Sequence, residues 1–193
     1  AQAPVVWDQA RGIVVTDVDG NQYYDWTSGV LVTNVGHCHP DHVAAIQRQV
    51  GRLLNCYDFP TPERIEAARR MVEVTPPNLD RVFFLTTGSE ATESATRVAK
   101  RATGRFEIAG FHFGFHGRTY TAMSVGGMGG TKKRYGPTMP GSIHLPFPYP
   151  YRPPLGVAEE DLIDATFELM EAQIRADSTG ALAAVMIEPY LGG

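Results

Sequence analysis

Apolar positions change their spacing several times along this chain, and each change predicts an element. Residues 13–18 and 21–26, separated by Asp19-Gly20, predict a β-hairpin, because Asp-Gly supplies the positive φ angles of a tight turn. Pro40 then suits the first position of a helix, with Val43, Ile46, Val50 and Leu53 as its apolar stripe. Thr61-Pro62 gives a cap and first residue for another helix, which turns Ile65, Ala68 and Val72 inward and ends at Pro76-Pro77. Val82-Phe83-Phe84-Leu85 is a continuous apolar run and predicts a strand covered on both faces. Thr87-Gly88-Ser89-Glu90 has the form of a capping box, with Thr87 as cap and Glu90 reaching back to it. Ala91, Ala95, Val98 and Ala102 follow at helical spacing, and Gly104 ends that helix. A short strand is expected over 106–111, and the glycines from Gly126 to Gly130 predict a loop. The five prolines of 146–154 predict extended surface chain. Glu159-Glu160-Asp161 opens a helix with Ile163, Phe167, Met170 and Ile174 on its buried side. A final buried strand over 181–187 delivers Glu188-Pro189 at its carboxyl end. Strands alternating with helices imply an α/β fold with a largely parallel sheet covered on both faces.

Bulk composition narrows this picture only slightly. At 193 residues, 43% hydrophobic and 20% charged, the chain is of ordinary globular type, and length alone would suggest one domain. A formal net charge of -4 with no long basic run argues against a nucleic-acid partner. No apolar run reaches membrane-spanning length, so no membrane partner is expected. Cys38 and Cys56 give no disulfide framework and favour a reducing, cytoplasmic setting.

Chemistry concentrates between residues 81 and 119. The Gly88-Ser89 turn begins a helix whose unpaired N–H groups and dipole favour an anion, and glycine lets a phosphate approach the backbone. Alone, it reads more readily as a plain capped turn. Phe115-His116-Gly117-Arg118-Thr119 lies beyond the carboxyl end of a strand, where ligands sit in open α/β sheets. An aromatic face there can cover a planar ring, and an arginine can grip a carboxylate with two hydrogen bonds. A core aromatic cluster with a solvated arginine is the alternative.

Taken in order, five segments resemble the class III, ornithine- and 4-aminobutyrate-type aminotransferases. They are the hairpin region 12–26, Asn34-Val35-Gly36-His37 with His39-Pro40, Thr87-Gly88-Ser89-Glu90-Ala91, Phe115-His116-Gly117-Arg118-Thr119, and Ile187-Glu188-Pro189. The resemblance implies the type I, aspartate-aminotransferase-like fold and pyridoxal 5'-phosphate as cofactor. It implies a small-domain segment with connecting helix over 1–58 and the first part of the large cofactor-binding domain over 59–193. Gly88, Ser89, Phe115, His116 and Glu188 would then face the cofactor, with Phe115 over its ring. Arg118 would take a substrate carboxylate, and Val30 and Leu31 would line the substrate pocket. The implied reaction moves an amino group from an ω-amino acid or amine donor to a 2-oxo acid, in a homodimer. A dialkylglycine-decarboxylase-like relative and a non-catalytic cofactor-binding remnant are the alternatives. The family's cofactor-linking lysine has no counterpart here, since Lys100, Lys132 and Lys133 match no such position. No catalytic residue is therefore assigned, and the sequence is expected to be roughly the N-terminal half of a longer protein.

Three other motifs point elsewhere. Ala122-Met123-Ser124-Val125-Gly126 loosely follows a hydrolase nucleophile elbow, but a glycine-rich loop stands where that motif needs a helix. The stretch 126–133 has glycines and lysines without the P-loop order. His37-Cys38-His39 lacks further ligands at metal spacing, so no metal is expected and both histidines are read as structural contacts.

Overall fold

The computed structural model describes residues 4–153 and 156–192. By compactness the chain divides into residues 1–82 and 83–193.

The first unit is an antiparallel sheet followed by two helices. Strands β1 (Trp7–Arg11), β2 (Val14–Asp17) and β3 (Gln22–Tyr24) lie in that order. The hairpin forms between β2 and β3, but its turn is longer than a two-residue Asp-Gly connection: Gly20 has φ +85° and Asp19 does not share the positive φ. The buried Asp17 organises it, its Oδ1 accepting from the amides of Asp19 (3.0 Å) and Asn21 (2.8 Å). Helices α1 (Pro40–Val50) and α2 (Pro62–Val74) begin at the expected prolines, and Thr61 Oγ1 caps α2 by accepting from the Arg64 amide at 3.2 Å.

Between sheet and α1 the chain makes a left-handed turn. Ser28, Gly29, Val30 and Leu31 have φ of 48°, 61°, 63° and 66°. For residues with a Cβ this conformation costs about 1–2 kcal/mol each. The turn is closed by Leu31 N–H to Thr27 O at 2.8 Å and Val32 N–H to Ser28 O at 2.9 Å. Asp25 pins its start, accepting from the Thr27 amide (2.8 Å) and hydroxyl (2.7 Å), while its other oxygen meets His37 Nε2 at 2.8 Å. The Asp25 side chain is only 3% exposed. Thr27 first, and His37 next, hold its carboxyl down to about 2. A carboxyl depressed in the folded state contributes stability above its unfolded value near 3.8, and that contribution disappears as pH falls through about 2. Acid titration followed by tryptophan fluorescence should therefore show a stability loss between about pH 4 and 2 that Asp25→Asn reduces. An identical acid profile in the variant would show that Asp25 is not responsible. His37 is thus the expected structural contact, whereas His39 is exposed and makes no capping hydrogen bond.

The second unit is a parallel sheet in the order β5-β4-β6, with β4 (Glu107–Phe111) between β5 (Ser142–Leu145) and β6 (Leu182–Val185). Every residue of β4 is buried because both its faces are covered. Ala109 and Phe111 pack with Ile143, Leu145 and Met170 on one face. On the other, Gly110 lies directly under the Val125 carbonyl of α4 (Tyr120–Val125), where no Cβ would fit. Helix α3 (Gly88–Thr103) precedes β4 and ends at Gly104, whose φ of 70° and N–H to Lys100 O at 3.0 Å make the expected left-handed cap.

Several expectations change here. Residues 82–85 form no strand, and Phe83 is 70% exposed, because none of the described strands runs beside them to supply a ladder. Glu90 does not reach its own cap residue; its carboxylate accepts from the amide of Thr86 (3.1 Å) and from the Thr86 hydroxyl. The glycine stretch is only partly loop, since Gly127 bridges to His112 and residues Gly129–Lys132 make one helical turn. In α5 (Leu162–Asp177) the buried positions are Leu162, Thr166 and Met170, while Ile163 and Phe167 are exposed. Thr166 fits the stripe because its hydroxyl donates to Leu162 O at 2.6 Å and leaves no unpaired polar atom. Strand β6 is half-buried where a fully buried one was expected. Residues 146–149 have no regular secondary structure, with Phe147 packed against the core and not at the surface, and a turn follows at Tyr149 and Arg152; Pro154 lies outside the described residues.

Candidate active site

Helix α3 and the segment after β4 enclose a cleft of about 470 Å³ lined by Thr87, Gly88, Ser89, Thr92, Phe115, His116, Gly117 and Arg118. The helix contributes an anion seat. Thr87 Oγ1 accepts from the Glu90 amide at 3.1 Å and fixes the first turn. Among the described residues nothing accepts from the amides of Gly88 and Ser89, and a Cβ built on Gly88 would meet nothing within 4 Å. Two free N–H groups at the start of a sixteen-residue helix, with open space before them, suit a phosphate.

The opposite wall is held on the helix by side chains one turn apart. Ser89 Oγ accepts from the Arg118 amide at 3.0 Å, and Thr92 Oγ1 donates to the His116 carbonyl at 2.8 Å. One oxygen of Glu93 accepts from the Thr119 hydroxyl (2.6 Å) and the amides of Thr121 (2.9 Å) and Ala122 (3.3 Å). Such close approach needs Gly117, at φ +133°: a Cβ there would lie 2.5 Å from Ser89 Oγ and 2.9 Å from Ala122 Cβ. Glu188, just past β6, orients the first residue of the wall, its Oε1 accepting from the Phe115 amide at 3.2 Å.

Two buried atoms in this neighbourhood have no partner among the described residues, His116 Nε2 and Glu188 Oε2. Burial pushes the His116 imidazole below its ordinary value, against the pull of the Glu188 charge. The ring lines the cleft, while its unpaired nitrogen is turned into the protein near Gly114. The Arg118 guanidinium has no carboxylate partner among the described residues, which leaves it free for an anionic group.

The structure thus brings Gly88, Ser89, Phe115, His116 and Arg118 to one cleft, with Glu188 behind the wall instead of lining it. Val30 and Leu31 belong to the first unit, on the left-handed turn, 80% and 56% exposed. Gly117 was read only as a letter of its motif, and Thr92 and Glu93 were not anticipated. Their one signal in sequence is polarity at Ser89, Thr92 and Glu93, spaced three and four residues apart on an alanine-rich helix. No lysine lines the cleft: Lys132 Nζ meets His144 Nε2 at 2.8 Å, Lys100 Nζ meets Met139 Sδ at 3.7 Å, and Lys133 is exposed. Ser124 is wholly buried, donating to Tyr120 O at 2.6 Å and accepting from the Met139 amide at 2.8 Å, so it is a packing residue and not an exposed nucleophile. Among the described residues there is no metal-binding cluster and no helix long and apolar enough to cross a membrane.

The family model described as Aminotransferase class-III matches residues 1–193. An uncharacterized aminotransferase of Schizosaccharomyces pombe is 33% identical over 98% of this chain and 42% of its own length. A probable 4-aminobutyrate aminotransferase of Bacillus subtilis is 32% identical over 95% of this chain and 43% of its own. Among solved structures, the PLP-bound form of an amine transaminase from an uncultivated Pseudomonas species superimposes with a TM-score of 0.88 at 27% identity, covering 98% of this chain and 46% of that one. The chain therefore spans less than half the length of these relatives.

Proposed function

Because the chain belongs to the class-III aminotransferase family, we propose that it supplies the phosphate seat and ring-covering wall of a pyridoxal-phosphate-dependent transaminase. The donor is an ω-amino acid or amine and the acceptor a 2-oxo acid. The observation that carries this reading is the joining of a free helix N-terminus, an aromatic side chain and an unpaired arginine in one cleft. The amides of Gly88 and Ser89 hold the phosphate, and Phe115 covers the pyridine ring. His116 lines the cleft beside Phe115, and Glu188 keeps Phe115 in place through the backbone. Arg118 takes the donor's carboxylate with two parallel hydrogen bonds. Pyridoxal phosphate, when bound, is an electron sink for negative charge at the carbon bearing the amino group. Val30 and Leu31 line the donor pocket. We assign residues 1–58 to the small-domain segment with its connecting helix, and 59–193 to the large cofactor-binding domain. A cytoplasmic homodimer is the assembly this reading favours.

The division of labour between Phe115 and Arg118 is testable in the full-length gene product. Phe115→Ala should weaken cofactor affinity roughly tenfold, the loss of one aromatic contact of about 1.4 kcal/mol. Arg118→Ala should leave cofactor affinity within about threefold, yet raise KM for carboxylate-bearing donors on the order of 10- to 100-fold, as a charge-assisted pair is worth about 1.5–3 kcal/mol. Cofactor titration by absorbance and donor kinetics separate the two, and equal cofactor loss from both variants would sink the assignment.

A further inference from the structure

Helix α4 lacks a cap of its own. Thr119 occupies the position before it but makes no capping hydrogen bond. Its hydroxyl instead donates to Glu93 Oε1, which also receives the first-turn amides of Thr121 and Ala122. Unpaired amides at a helix start need an acceptor, and here it comes from another helix, across 26 residues of sequence. Burial works to raise the Glu93 carboxyl, but the bonds from Thr119, Thr121 and Ala122 outweigh it and the group lies below its ordinary value. The ionised carboxylate is therefore the acceptor in place.

Arg118 stands between two anchors. Its own amide is fixed by Ser89 Oγ, and the next residue is fixed by Glu93. With backbone held on both sides, the position of the Arg118 Cα and the direction of its Cβ are set by α3. Ser89 serves the anion seat as well, whereas Glu93 does not line the cleft.

We propose that Glu93 is a positioning residue for donor selectivity, holding the Arg118–Ala122 backbone so that Arg118 meets the donor's carboxylate. This rests on the reading of Arg118 given above. It predicts a defect confined to carboxylate-bearing donors, unlike general loosening of the site.

The test uses the full-length holoenzyme with 4-aminobutyrate and n-butylamine, comparing KM, or the inhibition constant where turnover is absent. Glu93→Ala should raise the 4-aminobutyrate value about tenfold or more, since small misplacements of a positioned group have large kinetic effects. The n-butylamine value should move by less than about threefold by the same reasoning. Glu93→Gln, which keeps an acceptor oxygen, should restore most of the difference. In an Arg118→Ala background Glu93→Ala should add nothing further. Thr119→Val, which removes one of the three bonds, should give a smaller shift of the same kind and guards against a Glu93→Ala variant that does not fold. In the cofactor-free protein, hydrogen exchange should show Thr121 and Ala122 losing protection in Glu93→Ala and regaining it in Glu93→Gln. Equal shifts for both donors, or an undiminished effect on top of Arg118→Ala, would overturn the role of Glu93 alone. If Arg118→Ala itself fails to separate the two donors, the reading of Arg118 is wrong and the proposal goes with it.

Discussion

Gly127→Ala is expected to unfold the second unit or to destabilise it by about 3 kcal/mol or more, at the severe end for overpacking. The added Cβ would press against the Phe111 carbonyl oxygen and lie 2.5 Å from His112 Cα and 2.6 Å from Phe113 N. These are backbone atoms, so no rotamer change relieves the clash. They also sit where β4 ends, and Gly127 N–H donates to Gly114 O at 2.8 Å in the same contact. Gly130 provides the control, because a Cβ there meets nothing within 4 Å. Gly130→Ala should therefore stay within about 0.5 kcal/mol of the parent. Urea denaturation of the two variants decides the matter; equal midpoints would show that the close approach at Gly127 relaxes at little cost.

Gly117→Ala should act on the ligand more than on the fold. Its Cβ would meet Ser89 Oγ at 2.5 Å and Ser89 Cα at 2.9 Å, and its φ of +133° lies where side chains are strained. The wall must then lift from α3, separating Phe115 and Arg118 from the amides of Gly88 and Ser89. We expect pyridoxal phosphate affinity to fall about 100-fold, equivalent to about 2.7 kcal/mol. The site lies at the edge of the unit, so the loss of global stability should be nearer 1–2 kcal/mol. Cofactor affinity within a factor of three of the parent would show that the wall yields without moving its contacts.

The aminotransferase fold expected from the five motifs is the one found by superposition on a solved transaminase. Legibility in detail followed how local the physics was. Pro40, Thr61-Pro62, Thr87 and Gly104 mark helix ends through their own backbone preferences and caps, and these ends appear where the sequence puts them. Helix α4 was missed because its acceptor, Glu93, is distant in sequence and Thr119 looks like an ordinary cap. Strand β1, Trp-Asp-Gln-Ala-Arg, has no alternation to announce it and owes its existence to pairing with β2. Conversely, the apolar run at 82–85 announces a strand that no described neighbour completes. In α5 the apolar stripe of Ile163, Phe167, Met170 and Ile174 passed over Thr166, whose hydroxyl is satisfied by its own helix and can be buried. For the cleft, glycine, aromatic and arginine positions were readable as motif letters. The side chains that hold them together were not, because hydrogen bonds to backbone leave little trace in the identity of the residues they grip.

That last point bears on how such a site can diversify. Ser89, Thr92 and Glu93 hold the amides of Arg118, Thr121 and Ala122 and the carbonyl of His116, groups every non-proline residue carries. The residue at 118 can therefore be exchanged without dismantling the anchorage of its own backbone. On the roles proposed for Phe115 and Arg118, donor preference and cofactor retention would be separable traits, and mutation could explore the first while preserving the second.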